Sequence, residues 1–152
     1  MTDTFVRVTR KVHAVPAVVF DILATPHRHH EIDASGMVGA DEEDAPITKA
    51  GQVFRMNMTD VEDGEYQVDN TVTEFEPNRV IAWTVAEAGG EPLGWTWRYD
   101  LEPHGDNKSD VTLTYEWTGM SDAAREEYGV PSFGADELQA SLDMLAKVAK
   151  TD

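Results

Sequence analysis

The stretch Ser132–Lys150, SFGADELQASLDMLAKVAK, decides the fold of this chain. Leu138, Leu142, Leu145 and Ala149 recur at helical spacing, and Ser141, Met144 and Val148 widen the same stripe. Asp136 and Glu137 stand near its start and Lys147 and Lys150 near its end, the arrangement a helix dipole favours. The spacing predicts one long amphipathic helix over 132–150. A helix this polar on its far side is not stable alone in water, so its apolar face needs a platform. The residues from Gly36 to Gly119 read as that platform, a run of strands joined by turns.

The strands announce themselves by alternation. Trp95, Trp97, Tyr99 and Leu101 alternate with Thr96, Arg98 and Asp100; Val111, Leu113, Tyr115 and Trp117 alternate with Thr112, Thr114 and Glu116. Such a pattern belongs to a sheet with one apolar face and one wet face. Phe54, Met56 and Met58 face one way in Gln52–Asp60; Tyr66, Val68, Asn70 and Val72 share a side in Tyr66–Phe75; Ile81, Trp83 and Val85 share one in Arg79–Ala86. Glu62–Glu65 supplies a hairpin turn, Pro77-Asn78 another, and Gly89-Gly90 begins a loop. Met37–Ala40 is a weak strand, and the acidic run Asp41–Asp44 is an exposed loop.

Before the sheet, Phe5–His13 is a first strand with Val6, Val8 and Val12 on one face. Arg10 falls on that same side, so it either reaches solvent near the strand end or is a cation inside the fold. Pro16 opens a short helix with Val19, Phe20 and Leu23 inward, and Thr25-Pro26 ends it and caps a second short helix, HRHHEID, ending near Ser35-Gly36. After the sheet, Ser121–Tyr128 is a short helix closed by Gly129. The expected class is α+β: a curved antiparallel sheet of about six to seven strands around a long C-terminal helix, with two short helices after strand one.

Composition narrows the function. The 152 residues suit a single domain spanning 1–152, and a net charge of -17 argues against nucleic-acid or anionic-membrane binding, both of which need Lys and Arg. The absence of cysteine removes disulfides, thiolate nucleophiles and zinc-thiolate sites. The N-terminus lacks the apolar core of a signal peptide, and no apolar run approaches the ~20 residues of a membrane span. A cytoplasmic location is the expectation. His27, His29, His30 and Glu31 match no zinc spacing, so no metal and no cofactor are expected.

The opening strand, the segment VPAVVFDILATPHRHHEIDASG, the strand RVIAWTV and the terminal helix ELQASLDMLAKVAK together resemble the START-like, or SRPBCC, superfamily. The similarity is to its polyketide cyclase/dehydrase and lipid transport group and covers nearly the whole chain. It implies a helix-grip fold with a cavity between sheet and helix. Ile32 stands where many relatives carry tryptophan.

Two views of the inward residues follow. Met56, Met58, Trp83, Trp97, Tyr99, Tyr115 and Trp117 either pack as solid core or line that cavity; the resemblance implies a lining. Asn70, Tyr99 and Tyr115 are polar on inward positions, so they pair with one another and with water or orient a ligand. The resemblance sets the 27–33 segment close to the cavity, so His29, His30 or Asp33 lines its entrance, with His30 as the candidate ligand contact. The expected function is binding of a small hydrophobic, lipid-like or polyketide-like molecule by a monomer or weak homodimer. The alternative is an aromatase/cyclase or dehydratase, with Arg10 for charge and Tyr99 or Tyr115 as proton donor. A protein-partner role, as in relatives that bind a chaperone, needs an exposed apolar patch, and the Thr112, Thr114, Glu116 face offers none.

Overall fold

The computed structural model describes residues 4–33, 37–41, 45–60 and 64–151. Strand β1 (Phe5–Val12) leads into helix α1 (Pro16–Leu23) and a 3-10 helix (Pro26–Ile32). Strands β2 (Val38–Asp41), β3 (Val53–Asp60), β4 (Gly64–Glu76), β5 (Val80–Glu87), β6 (Pro92–Pro103) and β7 (Ser109–Glu116) follow, then α2 (Asp122–Tyr128) and α3 (Ala135–Thr151). The strands form one antiparallel sheet in the order β1-β7-β6-β5-β4-β3-β2. It curls into a half-barrel around α3, the helix-grip arrangement.

Local chemistry explains the joints. Asn78 takes the left-handed conformation, φ 67°, in the turn after Pro77, and asparagine tolerates that region better than most side chains. Register shifts at Val72/Glu74 and opposite Thr84/Ala86 put the extra residues in β4 and β6 and bend those two strands, since a bulge increases local twist. Pro16 opens α1 at a position where its missing N–H costs nothing. Thr25 does not cap the second helix through its side chain: its Oγ1 donates back to the Asp21 carbonyl at 2.7 Å, closing α1 instead. The second helix is a 3-10 helix. The turn expected at Glu62-Asp63, the 42–44 part of the acidic loop and the Ser35-Gly36 helix end lie outside the described residues.

The long helix begins at Ala135, three residues later than the periodicity predicts. Glu137 is the reason: its Oε2 accepts the Gly134 amide at 3.0 Å, capping the helix there. Ser132 and Phe133 are released from the helix: the Phe133 ring and the Ser132 amide meet the sheet at Tyr115, while the exposed Ser132 hydroxyl donates to the Gly129 carbonyl. The apolar stripe is as expected, with Leu138, Leu142, Leu145 and Ala149 all no more than 3% exposed. This stripe packs on β1, the 3-10 helix, α1 and β7. The core beneath it holds Val12, Ile22, Leu23, Ile81, Leu101 and Leu113.

Candidate functional site: an aromatic cleft under the C-terminal helix

Strand register sorts the concave face into rows. One row crosses the sheet as Val72, Trp83, Trp97, Tyr115 and Val6. The next, one step toward α1, holds Phe75, Ile81, Tyr99, Leu113 and Val8; beyond it lie Leu101, Val111 and Arg10. On the other side of the tryptophan row, Phe54 and Asn70 stand opposite Val85, with Met56 and Val68 a further step out.

The tryptophan row carries the informative detail. Val72, Trp83 and Tyr115 are buried, yet Trp97, between Trp83 and Tyr115, is only half-buried. Met58, Val68, Trp95, Met120 and Phe133 are half-buried too, all toward the same end. Solvent therefore reaches the floor of the concave face from the end where β5 turns into β6 and α2 begins.

Rings organise this floor into two groups. Trp97 stacks on Tyr115 with centroids 4.3 Å apart and planes 12° off parallel, and Phe133 leans on both at 5.7 and 6.0 Å. Trp83 touches Tyr99 at 5.9 Å, Phe54 at 5.5 Å and His29 at 5.2 Å, the last nearly parallel. Two open grooves, of about 390 and 650 Å³, lie elsewhere: one by Met58 and Tyr66 at the β3–β4 tip, the other by Pro16 and Arg79 at the far end.

The polar groups split three ways. Tyr115 Oη accepts the Ser132 amide at 3.1 Å, so its own proton stays available. Tyr99 Oη makes no hydrogen bond to another described residue. Burial, reinforced by the nearby Asp33 carboxylate, pushes its pKa up and keeps it a neutral donor. Burial also raises Tyr115, partly offset by the Ser132 contact. Asn70 is 5% exposed; its Nδ2 sits 3.5 Å from the Phe54 carbonyl, the outer limit of a hydrogen bond. Trp117, 4% exposed, buries its indole N–H with no partner among the described residues.

Arg10 does not join this group. It is half-buried and pairs with Asp143 on α3. In the adjacent strand it stands opposite Val111, four residues or about 13 Å along the sheet from Tyr115. Arg10 takes a course between the two expected: its guanidinium end pairs with Asp143 at the β1–α3 seam, which offsets the cost of a buried charge, while its Nε is buried with no partner among the described residues.

The histidines divide. His30 is exposed, with its ring near that of exposed His27. His29 is the inward one, 7% exposed, donating Nε2–H to the Leu23 carbonyl at 2.8 Å while lying on Trp83. Nothing in the periodicity of so short a helix chooses between neighbours; 3-10 winding, with three residues per turn, sets His29 toward Phe54 and Trp83. Phe133 was the other residue the spacing concealed, because it reads as helix until Glu137 is recognised as the cap.

An antiparallel half-barrel closed over a C-terminal helix, with an aromatic concave floor, defines a START-like domain. The chain belongs to the polyketide cyclase/dehydrase and lipid transport family, whose model matches residues 4–150. An uncharacterized protein of Mycobacterium tuberculosis is 32% identical over 113 residues, 73% of this chain but 47% of that protein, so the chain spans about half the length of the curated relatives it matches. Among solved structures, a protein from Chromobacterium violaceum superposes with TM-score 0.70 at 19% identity, covering 99% of this chain and all of the other. The Zhui aromatase/cyclase of a Streptomyces species gives 0.68 at 18% identity, covering 96% and 93%. Norcoclaurine synthase from Thalictrum flavum gives 0.64 at 14%, covering 97% and 86%. At these identities the structural likeness establishes the fold. No helix among the described residues is long and apolar enough to cross a membrane.

Proposed function

We propose that this chain binds a small hydrophobic molecule, lipid-like or polyketide-like, on the aromatic floor between the sheet and α3. The observation that carries this reading is the half-exposure of Trp97 at the centre of an otherwise buried row. A core designed only for stability would cover its largest side chain, since burying a tryptophan is among the most favourable contributions available. Entry in this reading displaces α2 rather than any strand. None of the α2 residues is buried, so lifting the helix disturbs little of the core. Trp83, Tyr99, Tyr115, Trp117, Met56, Met58 and Asn70 are the remaining candidate contacts, with inward His29 a stronger candidate than exposed His30.

A second reading, an aromatase/cyclase or dehydratase, draws on the Zhui likeness and on the neutral, unpaired Tyr99 hydroxyl near Asp33. Its candidate cation, Arg10, is paired with Asp143 and stands about 13 Å along the sheet from Tyr115. Binding without chemistry is therefore the better supported. Native mass spectrometry of protein purified from its own host tests it: a retained apolar molecule is expected. A bare chain that also fails to take up apolar reporter dyes would refute it.

A further inference from the structure

The charge of the ligand follows from what the cleft lacks. Among the described residues, the buried polar side chains are His29, Asn70, Ser109 and Thr114; no Asp, Glu, Lys or Arg is buried. Ser109 spends its proton on the Ala14 carbonyl, and Thr114 lies on the outer face under Arg7. His29 commits its Nε2–H to the Leu23 carbonyl, and Arg10, whose Nε is buried with no partner among the described residues, pairs with Asp143 about 13 Å along the sheet from Tyr115. What remains for a ligand beside Trp97 is a set of neutral donors and one amide: the hydroxyls of Tyr99 and Tyr115, the Trp117 indole N–H, and Asn70.

The charges nearest the cleft have the wrong sign for an anion. The Asp33 carboxylate lies close enough to Tyr99 to act on its hydroxyl. At the open end, Glu87 accepts from Tyr128 Oη at 3.4 Å, and Glu126 and Glu127 stand beside it on α2. Among the described residues the cation at that end is Arg125, whose Nε donates to the Val130 carbonyl at 3.4 Å and whose guanidinium lies 5.7 Å over the Trp117 ring. It has Asp122, Glu126 and Glu127 as helix neighbours. A carboxylate drawn into the cleft would lose its hydration, find no fully buried Lys or Arg among the described residues and meet a field of its own sign.

Resting on the binding reading above, we propose that the cleft selects an uncharged ligand, a planar apolar frame bearing a ketone, ester or phenol oxygen, and rejects carboxylates such as free fatty acids. The oxygen would accept from Tyr99 or Tyr115, and the frame would lie along Trp97 and Trp83.

Three probes on one ring system test this by calorimetric titration of the full chain at neutral pH: 2-naphthol, methyl 2-naphthoate and 2-naphthoate. The ester is larger than the acid, so size alone ranks it last. The expected result is binding of the naphthol and the ester, with naphthoate at least about tenfold weaker than its ester. Arg125→Gln should leave that ratio unchanged. Naphthoate binding as tightly as the ester overturns charge selection, and its loss in Arg125→Gln would then identify Arg125 as the anchor. If none of the three binds, the binding reading itself fails and takes this proposal with it.

Discussion

At the end of the sheet nearest α1, the concave face is closed: Leu101, Val111 and Val12 are at most 2% exposed, and Leu142 and Leu145 lie over them at 0% and 1%. At the opposite end the same alternation continues with larger side chains, yet Trp95, Trp97, Met58 and Val68 are half-exposed. The difference is not in the strands. Arg10 and Asp143 clamp the middle of α3 to β1 at the closed end, whereas the open end is roofed by α2, which buries nothing of its own. An alternating strand pattern specifies which face is apolar; which part of that face becomes core depends on where a helix is anchored above it.

The largest effect is expected where the helix is anchored. Leu145→Ala empties a fully buried site in α3, and such truncations cost about 2–5 kcal/mol of stability. Denaturant unfolding should show that loss, while dye binding per folded molecule stays unchanged. A cost below about 1 kcal/mol would mean the closed end is not the closely packed core described here. The next effect tests the open end. Trp97→Ala removes the ring stacked on Tyr115 at 4.3 Å and should weaken an apolar reporter dye by about tenfold, whereas Thr96→Ala, one residue away on the outer face, should leave it unchanged. Equal effects of the two would place the dye somewhere other than the concave floor.

Most of this architecture was legible in the sequence because period-two and period-3.6 patterns are local. The faces of β6 and β7 and the stripe Leu138, Leu142, Leu145, Ala149 could be read directly, and family resemblance joined them into a helix-grip fold. The site was legible only as a set of inward positions. Whether Arg10 entered the fold depended on Asp143, a residue 133 positions away that no periodicity connects to it. The choice of His29 over His30 was set by the winding of one short 3-10 helix. The true start of α3 turned on a single glutamate capping Gly134, and with it went Phe133, which the helical reading had absorbed. The opening of the cleft is a property of how α2 and α3 lie over the sheet, and neither helix states that in its own residues.

The smallest effect concerns what keeps the open end in shape from outside. On the convex face, Asp69 accepts Arg55 Nε at 2.7 Å and, through its second oxygen, the Gly89 amide at 2.8 Å. One carboxylate thus ties β3, β4 and the β5–β6 turn together beside the cleft mouth. The hydrogen bond from Arg55 holds the Asp69 pKa below the ordinary carboxylate value of 3.8, outweighing the opposing effect of burial. A depressed folded-state pKa stabilises the fold above the ordinary value, and that contribution disappears as pH falls through the depressed one. The pair is partly solvated, so its contribution is under about 1 kcal/mol. Asp69→Asn should therefore lower the melting temperature slightly at neutral pH and leave it level with the parent in strong acid. Amide exchange at Gly89 should quicken in the variant at neutral pH, while amides in the closed end, such as Leu113, keep their protection. Quickening spread evenly over both ends would show that the open end is no less firmly held than the core, and would erase the distinction from which the cleft was inferred.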